Sequence, residues 1–275
     1  MSKHSRVAVV VCVVVLAAAS WAHAQTAPAT AVTDQQVYEA WRAWITKQPP
    51  GDRANVIEGY KQVLATQGVA ATEIDRRLRV IVEQGKKLEI ELWNRILTSD
   101  SPTFNTKPNE FLVRMTAGRK PGAALDVGMG QGRNAIYLAQ QGWNVTGFDP
   151  AEKAVAAAQA EANKLGVSLR TVIAEDDTFD FGRDQWDLVV LSYVTVRHLV
   201  ARVQQSLKPG GVVVVEAFHR DATKDSGIGG GVVYDTNELL KLFNDFRIVH
   251  YEDVRAVGDF GMRDTRVVRL AAEKR

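Results

Sequence analysis

The segment Ala124–Ala135, which reads ALDVGMGQGRNA, constrains the fold of this chain more than any other part of the sequence. Its apolar start is typical of a buried strand, and glycines follow at positions 128, 130 and 132. Because glycine lacks a Cβ, such a turn can adopt positive φ angles and bring its backbone close to a ligand. Asp126 lies near the carboxyl end of the strand, the edge where open parallel sheets bind ligands. The segment predicts a strand, a glycine turn and a helix start around a nucleotide-type ligand.

A second predicted strand, residues 144–149, ends in the acidic residue Asp149. This carboxylate is positioned to accept hydrogen bonds from the two hydroxyls of a ribose. Dinucleotide-binding Rossmann proteins also have a strand, a glycine turn and a downstream acid, but their fingerprint is G-x-G-x-x-G. The spacing here is G-x-G-x-G. It disfavours a pyrophosphate site, so an NAD-dependent oxidoreductase is the alternative rather than the leading interpretation.

The pattern after residue 122 alternates strands with helices, which predicts a Rossmann-like doubly wound α/β sheet. No helix separates the last two predicted strands, residues 247–254 and 266–272. Because consecutive strands with a short connection pair antiparallel, the sheet is expected to end in an antiparallel hairpin. Nucleotide-cofactor sheets of the usual dinucleotide type do not end in this way.

Residues 34–100 predict an N-terminal helical extension. Thr33 and Gln36 fit a capping box at the start of its first helix. Apolar residues at helical spacing predict a long third helix over residues 72–97, with Gly85 inside the apolar stripe as a point of close helix contact. The simplest role for the extension is to stabilise the sheet domain, and a substrate-facing or dimerising role is the alternative.

The first 24 residues have the pattern of an export signal. Lys3 and Arg6 precede an apolar run over residues 7–19, and Ala22-His-Ala24 resembles a cleavage site. The apolar run is shorter than the about 20 residues of a membrane-spanning helix. We expect an exported protein, periplasmic or secreted, that is cleaved after Ala24 and has no stable membrane span. An uncleaved N-terminal anchor is the alternative, and residues 25–33 are expected to form a disordered leader.

Composition excludes several classes of function. The chain has 34 lysines and arginines against 32 acidic residues, and the predicted signal holds two of the basic residues and no acid. The remainder is balanced in charge, without the basic excess that nucleic-acid binding requires. The single cysteine, Cys12, lies within the predicted signal. No disulfide, cysteine nucleophile or cysteine metal ligand is therefore expected after cleavage, and no other metal-ligand cluster is evident.

The stretch around the three glycines resembles motif I of class I S-adenosylmethionine-dependent methyltransferases, and further motifs follow in order through residues 104–272. Residues 174–177 read AEDD, residues 186–193 read WDLVVLSY, and residues 206–216 read SLKPGGVVVVE. These resemble the family's third-strand acid, its fourth strand, and its fifth strand with a Pro-Gly-Gly turn. Residues 130–139, GQGRNAIYLA, are similar to the small-acceptor branch typified by tellurite-resistance methyltransferases. The resemblance makes residues 101–275 the methyltransferase domain.

S-adenosylmethionine is the cofactor that this resemblance implies, and a small molecule is the implied methyl acceptor. In the family's pattern, Asp126 binds the amine of the methionine portion and Asp149 binds the ribose. Either Asp176 or Asp177 contacts the adenine amine. The other expected donor-site residues are Gly128, Gly130, Gly132, Ser192 and Tyr193.

The sequence indicates fewer residues for binding the methyl acceptor than for binding the donor. His219 follows the fifth predicted strand and is the candidate catalytic base, because histidine titrates near physiological pH. His198 falls within a predicted helix over residues 195–207 and is assigned a structural role. An apolar acceptor wall is expected from four aromatic residues, Phe104, Tyr193, Phe218 and Tyr234. A soft nucleophile is the expected acceptor, whereas oligomeric state is left open.

Overall fold

The computed structural model describes residues 32–47, 53–223 and 230–275. The helices are α1 (Asp34–Ile45), α2 (Arg53–Thr66), α3 (Ala71–Leu97), α4 (Glu110–Thr116), α5 (Arg133–Gln140), α6 (Glu152–Lys164), α7 (Val200–Ser206) and α8 (Glu238–Leu242). The strands are β1 (Ala123–Val127), β2 (Asn144–Asp149), β3 (Leu169–Ile173), β4 (Trp186–Ser192), β5 (Leu207–His219), β6 (Val233–Tyr234), β7 (Arg247–Val257) and β8 (Asp264–Glu273). The predicted signal, residues 1–24, and most of the predicted leader lie outside the described residues.

These strands form one sheet with the order β3-β2-β1-β4-β5-β8-β7, and the short β6 pairs with β5. Strands β3, β2, β1, β4 and β5 are parallel. The order reverses at β1, since β2 lies on one side of it and β4 on the other. This is the topological switch point at which open α/β sheets bind ligands.

The sheet ends in the antiparallel hairpin that the sequence predicts. Strand β8 pairs antiparallel with β5 and with β7, and the β7 pairing runs from Arg247 opposite Glu273 to Val257 opposite Asp264. Both strands are longer than predicted, so that only residues 258–263 connect them. The short connection folds back toward β4, which brings it to the candidate site.

Helices cover both faces of the sheet, as the doubly wound prediction requires. Helices α4, α5 and α6 pack on one face through residues such as Leu112, Leu138 and Ala158. Helices α7 and α8 pack on the other through Val203 and Leu239. Because both faces are covered, the central strands are apolar throughout: the side chains of residues 188–191 in β4 are fully buried.

The N-terminal helices have a core of their own. Thr33 and Gln36 form the predicted capping box at the start of α1. Val37, Tyr60 and Ile74, one from each helix, pack together. Within the part of the chain that the structure describes, no helix is long and apolar enough to cross a membrane.

The buried face of α3 differs from the predicted stripe in its second half. Leu88 and Leu92 are 40% and 41% exposed, whereas the buried positions near the helix end are Asn94 and Leu97. Nothing lies within 4 Å of a Cβ built on Gly85, so the predicted close helix contact there is wrong. The apolar spacing drifts around the helix, and the carboxyl-terminal half turns its face from the helical core to the sheet domain.

Candidate functional site

A cavity of about 430 Å³ opens at the carboxyl ends of β1, β2 and β4. Its floor is the glycine turn after β1, and its sides come from the loop after β3, the end of β4, and helix α3. This volume is in the range of small-molecule sites, about 300–1,000 Å³. Sequence-predicted residues that line it are Gly128, Gly130, Asp149, Asp176, Ser192, Tyr193 and Phe104.

The glycine turn depends on left-handed backbone at all three positions. The φ angles of Gly128, Gly130 and Gly132 are 64°, 56° and 81°. A Cβ on Gly128 would lie 2.6 Å from a methyl group of Val194, and one on Gly132 would lie 2.8 Å from Ala158 Cβ. Gly132 therefore serves packing of the turn against α6 and does not line the cavity, in contrast to the prediction. Gly128 and Gly130 do line it.

Asp149, the last residue of β2, points its carboxylate at the glycine turn. It accepts hydrogen bonds from the backbone N–H of Gly130 at 3.0 Å and from that of Ala151 at 2.8 Å. Burial raises the pKa of Asp149, and these two hydrogen bonds oppose that shift. The carboxylate is thus fixed in place while still lining the cavity, where each oxygen retains a further lone pair for a ligand hydroxyl.

Asp126 lies beneath the turn and is almost fully buried. One carboxylate oxygen, Oδ2, has no hydrogen-bond partner, although a backbone hydrogen bond from Ala135 reaches the carboxyl group. Burial raises the pKa of Asp126 to about 7, against the opposing effect of the nearby Arg133 charge. An unpartnered buried carboxylate costs free energy unless a cationic or donor group satisfies it. This side chain is not on the cavity surface, so a ligand would reach it from the turn side or through water.

The side chains of the acidic loop after β3 line the cavity, contact helix α3, or do both. Glu175 and Asp176 line the cavity, whereas Asp177 does not. Lys86 of α3 forms ion pairs with Glu175 and, at 3.3 Å, with Asp177. The structure therefore favours Asp176 over Asp177 as the residue available to a ligand. The ion pairs also hold α3 against the loop.

His198 lies at the cavity, which differs from its predicted structural position within a helix. Helix α7 begins only at Val200, so His198 is in the turn that follows β4. Its Nε2 is 2.8 Å from Asp176 Oδ2, and the histidine lines the cavity. The histidine thus belongs to the site, and the misplaced helix start explains why sequence reasoning missed it.

Tyr193, directly after β4, joins the cavity to a buried polar network. Its φ angle is 58°, a conformation uncommon outside glycine, and its hydroxyl donates to Glu216 Oε1 at 2.6 Å. Burial and the neighbouring Glu216 raise the pKa of Tyr193 well above its usual value. The side chain therefore stays protonated at neutral pH and is held as a hydrogen-bond donor at the cavity wall. Its neighbour Ser192 accepts a hydrogen bond from Asn134 at 3.2 Å.

The network extends to the turn between β7 and β8, which sequence reasoning did not connect to the site. Arg133 Nη2 is 2.7 Å from Asp259 Oδ2. Asn109 donates to Glu216 at 2.8 Å and to Asp259 at 2.7 Å. No local spacing in the sequence indicates these contacts, because Asp259 is more than 100 residues from Arg133. The network fixes the hairpin turn, and with it Phe260, over the cavity.

Helix α3 contributes a second set of residues that the sequence did not assign to the site. The lining residues from this helix are Lys86, Glu89, Ile90, Trp93 and Leu97. Leu97 covers the glycine turn so closely that a Cβ on Gly130 would lie 3.3 Å from its methyl groups. The extension therefore forms part of the site, as the substrate-facing alternative proposed.

His219 is not brought to the cavity. It is 5% exposed, its Nε2 is 3.0 Å from Thr236 Oγ1, and its Nδ1 accepts from the backbone N–H of Asp221 at 3.0 Å. Both ring nitrogens are engaged in holding the loop after β5, so the predicted role as catalytic base has no support in the geometry. Phe218 and Tyr234 also lie in the core and do not line the cavity. Among the residues described, no group of three or more histidine, cysteine or acidic side chains could hold a metal ion.

Residues 124–211 match the methyltransferase domain family. This stretch of the chain is a methyltransferase domain. The match spans the glycine turn, Asp149, the acidic loop and Tyr193, and it confirms the family resemblance predicted from the sequence.

Curated relatives of this methyltransferase domain have the names of different methyltransferases. A probable S-adenosyl-L-methionine-dependent methyltransferase, TehB of Haemophilus influenzae, is 23% identical over 48% of this chain and 49% of its own length. Ribosomal RNA small subunit methyltransferase C of Alcanivorax borkumensis is 27% identical over 48% of each chain. A ubiquinone biosynthesis O-methyltransferase of Paramagnetospirillum magneticum is 35% identical over 36% of this chain and 41% of its own. The chain thus spans about half or less of these relatives, and their names do not define its acceptor.

The solved structure of H. influenzae TehB shares the fold of the methyltransferase domain. It superposes with a TM-score of 0.53 at 18% identity, covering 61% of this chain and 62% of that one. The predicted α/β fold is confirmed by this likeness and by the sheet order described above. The TehB matches also agree with the branch of the family, similar to TehB, that the sequence indicated.

S-adenosylmethionine is the cofactor of this domain class, and the cavity residues fit it. The unpartnered oxygen of Asp126 lies beneath the glycine turn, where a ligand amine would satisfy it from the turn side or through water. The absence of side chains at Gly128 and Gly130 opens the floor of the cavity next to Asp149. A sulfonium amino acid joined to an adenosine has the amine and ribose that these groups would bind.

Proposed function

We propose that the protein transfers a methyl group from S-adenosylmethionine to a small-molecule acceptor that carries a soft nucleophile. The observation that carries this proposal is that Gly128, Gly130 and Asp149 line one cavity at the switch point of the sheet, with the unpartnered carboxylate of Asp126 buried beneath the glycine turn. The family match over residues 124–211 supports the same activity.

The chain's own residues would bind and orient the donor. Asp149 would accept hydrogen bonds from the ribose hydroxyls, and Asp126 would bind the amine directly or through water. Asp176, which lines the cavity, would contact the adenine amine. When bound, S-adenosylmethionine supplies an electrophilic methyl group on a positively charged sulfur.

The remaining work of the protein is to align the acceptor and to exclude water, which are the main contributions to an in-line displacement. Helix α3 and the turn between β7 and β8 cover the cavity from two sides. Tyr193 lies at the end of β4. Its hydroxyl donates a hydrogen bond to Glu216, away from the cavity, so its ring forms part of the cavity wall. No obligatory acid–base pair is needed for a nucleophile that ionises in solvent.

A small acceptor is favoured over a nucleic acid by the shape and charge of the site. Trp93, Phe104 and Phe260 line the cavity, whose volume of about 430 Å³ suits a small molecule. The charge balance outside the predicted signal offers no basic footprint for a phosphate backbone. An NAD-dependent oxidoreductase is disfavoured because the sheet ends in an antiparallel hairpin and the turn lacks the G-x-G-x-x-G spacing.

Calorimetry with S-adenosylmethionine, S-adenosylhomocysteine and NADH tests the cofactor. We expect both adenosyl compounds to bind and NADH not to bind. Turnover of a labelled methyl group is then measured with thiols, selenite, tellurite, halides, small amines and ribosomal RNA. Transfer only to RNA or protein would contradict the small-acceptor proposal, and donor binding without turnover on any acceptor would favour a cofactor-binding protein without catalytic activity.

We also propose that the protein is exported, to the periplasm or beyond the cell, and cleaved after Ala24. The charged start, the apolar run and the Ala-His-Ala end support this proposal. A chain without cysteine after cleavage tolerates an oxidising compartment. Cell fractionation combined with sequencing of the mature N-terminus tests it, and a cytoplasmic protein that begins at Met1 would contradict export without affecting the methyltransferase proposal.

A further inference from the structure

Four aromatic side chains meet at one end of the cavity and form a continuous wall, which we call the aromatic wall: Trp93, Phe104, Tyr193 and Phe260. Phe260 is its centre. The Phe260 ring centroid is 5.6 Å from that of Phe104, 5.8 Å from that of Trp93 and 5.3 Å from that of Tyr193. All four residues line the cavity. They come from three distant parts of the chain: the end of α3 and the segment after it, the end of β4, and the hairpin turn.

The Tyr193 end of the aromatic wall is separated from Asp149, whereas Phe104 packs in one cluster with Ala151 and Ala154, which follow Asp149 closely in the chain. The residues proposed to bind ribose and adenine follow β2 and β3, whereas Tyr193 follows β4. Strand β1 separates β2 from β4, so Asp149 and Tyr193 are two strand spacings apart, about 10 Å. An adenosine bound at Asp149 would therefore leave the Tyr193 end of the aromatic wall for the second substrate.

The cationic side chains at the cavity are already paired. Of the lysines and arginines in the described residues, Lys86 and Arg133 line the cavity. Lys86 pairs with Glu175 and Asp177, and Arg133 pairs with the buried Asp259. Acidic lining residues, in contrast, are more numerous: Glu89, Asp149, Glu175 and Asp176. An oxyanion would meet no unpaired cation here and would be repelled by the carboxylates.

A cationic acceptor is also disfavoured at this end. Aromatic faces attract cations, but three of the four acidic lining residues, Asp149, Glu175 and Asp176, lie at the β2 and β3 side, and the fourth, Glu89, lies on α3. Asp259, which directly precedes Phe260, is held by Arg133, Asn105 and Asn109. The wall therefore offers flat apolar contact without a free countercharge.

We infer that the acceptor is an uncharged small molecule with an aromatic body, which packs against the aromatic wall and presents a soft nucleophile such as a thiol. This inference rests on the proposed methyltransferase function. In the reaction, the acceptor sulfur forms a bond to the methyl carbon, and the bond between that carbon and the donor sulfur breaks. The electron pair of the broken bond stays on the donor sulfur, and the thiol proton is released to solvent.

Matched acceptors test the inference with the full protein. Benzyl mercaptan and 2-mercaptoethanol carry similar thiols with and without a ring, benzylamine carries a ring and a positive charge, and selenite is an oxyanion. We expect kcat/KM for benzyl mercaptan to exceed that for 2-mercaptoethanol by about tenfold or more, from burial of the ring. A preference for selenite, benzylamine or 2-mercaptoethanol over benzyl mercaptan would overturn the inference while leaving methyl transfer intact.

The variant Phe260→Ala tests whether the wall provides this selectivity. We expect KM for benzyl mercaptan to rise about tenfold, with KM for 2-mercaptoethanol and the donor Kd changed less than about twofold. Met262→Ala is the matched control, because Met262 lies in the same turn and is 52% exposed outside the cavity. Phe260→Leu provides a second variant that keeps apolar volume and removes the ring. Unchanged acceptor selectivity in both Phe260 variants would overturn the role of the wall.

Binding measurements without turnover distinguish the proposed methyltransferase function from the inference about the acceptor. Calorimetry with benzyl methyl sulfide, in the presence of S-adenosylhomocysteine, measures the wall directly, and we expect binding that Phe260→Ala weakens about tenfold. Binding of S-adenosylhomocysteine without any binding of the sulfide would overturn the inference alone. Failure of both adenosyl compounds to bind would overturn the proposed function, whereas sulfide binding in that case would still support an apolar ligand site at the wall.

Discussion

Arg133 and Asp259 form a buried ion pair, with 2.7 Å between Arg133 Nη2 and Asp259 Oδ2, that joins the glycine turn to the hairpin turn. Each side chain is 9% exposed. Two segments more than 100 residues apart are thereby held on opposite sides of one cavity. The pair positions Phe260, which follows Asp259 directly, at the aromatic wall.

Removing one partner of this pair should destabilise the protein. Asp259→Asn would leave the Arg133 guanidinium buried without its counter-ion, and such changes cost about 3–5 kcal/mol of unfolding free energy. Chemical denaturation monitored by circular dichroism measures the change. Asp264→Asn is the control, because Asp264 pairs with Arg255 on the exposed side of the same hairpin and should cost less than about 1 kcal/mol. Equal effects of the two variants would contradict the structural role of the buried pair.

The raised pKa of Asp126 should make stability depend on pH. The pKa of Asp126 is about 7 in the folded protein and near 3.8 for an ordinary aspartate. At pH values between these two, the folded state therefore holds a proton that the unfolded state has released. Unfolding free energy should therefore fall as pH rises from about 4 to 7 and level off above pH 7, with about 4 kcal/mol at stake. Asp126→Asn should remove this component. Identical pH profiles for the wild type and the variant would contradict a raised pKa.

Donor binding should show the opposite pH dependence. In the proposed function the ionised form of Asp126 binds the ligand amine, directly or through water, so affinity for S-adenosylhomocysteine should rise by up to about tenfold between pH 6 and pH 8. Calorimetry at several pH values measures this rise, and Asp126→Asn should flatten it. Asp245→Asn, an exposed carboxyl outside the cavity, should leave the rise unchanged. A flat wild-type profile would argue against contact between Asp126 and the donor amine.

Asp149→Ala should weaken donor binding by about 1.5–3 kcal/mol, because hydrogen bonds from the ribose to a charged carboxylate would be lost. The variant also releases the backbone N–H groups of Gly130 and Ala151, so a moderate loss of stability should accompany it. Calorimetry with S-adenosylhomocysteine on folded protein separates the two effects. Asp245→Ala is the control, since Asp245 is exposed and does not line the cavity. If Asp149→Ala binds the donor with the affinity of the wild type, Asp149 does not bind the donor.

Lys86→Ala should loosen the cover that α3 forms over the cavity. Both ion pairs of Lys86 are partly exposed, so thermal stability should change little, by less than about 1 kcal/mol. Dissociation of the donor should nevertheless accelerate, by about fivefold, because the loop after β3 and α3 are no longer held together. Stopped-flow displacement measures the rate, with Lys87→Ala as control for the loss of a lysine at the neighbouring position. An unchanged dissociation rate would show that the ion pairs do not restrain α3.

The sequence by itself determined the sheet domain and the donor side of its site. Alternating strand and helix patterns defined the strands up to β5, and the missing helix near the end predicted the hairpin. The donor-side residues Asp126, Gly128 and Asp149 are close in the chain or at equivalent strand ends, so local motifs and the parallel topology are enough to bring them together.

Only the tertiary structure decided which aromatic residues meet at the cavity. The sequence predicted Phe104 and Tyr193 there, but it did not predict Trp93 and Phe260, which no periodicity or spacing links to them. His219 directly follows β5, yet hydrogen bonds with the loop after that strand hold it away from the cavity, while His198 reaches the cavity because α7 begins later than its apolar pattern suggests. The physical reason is that these positions depend on where a long helix and a hairpin turn pack against the sheet. Such packing is set by contacts between distant segments, which a local pattern does not record.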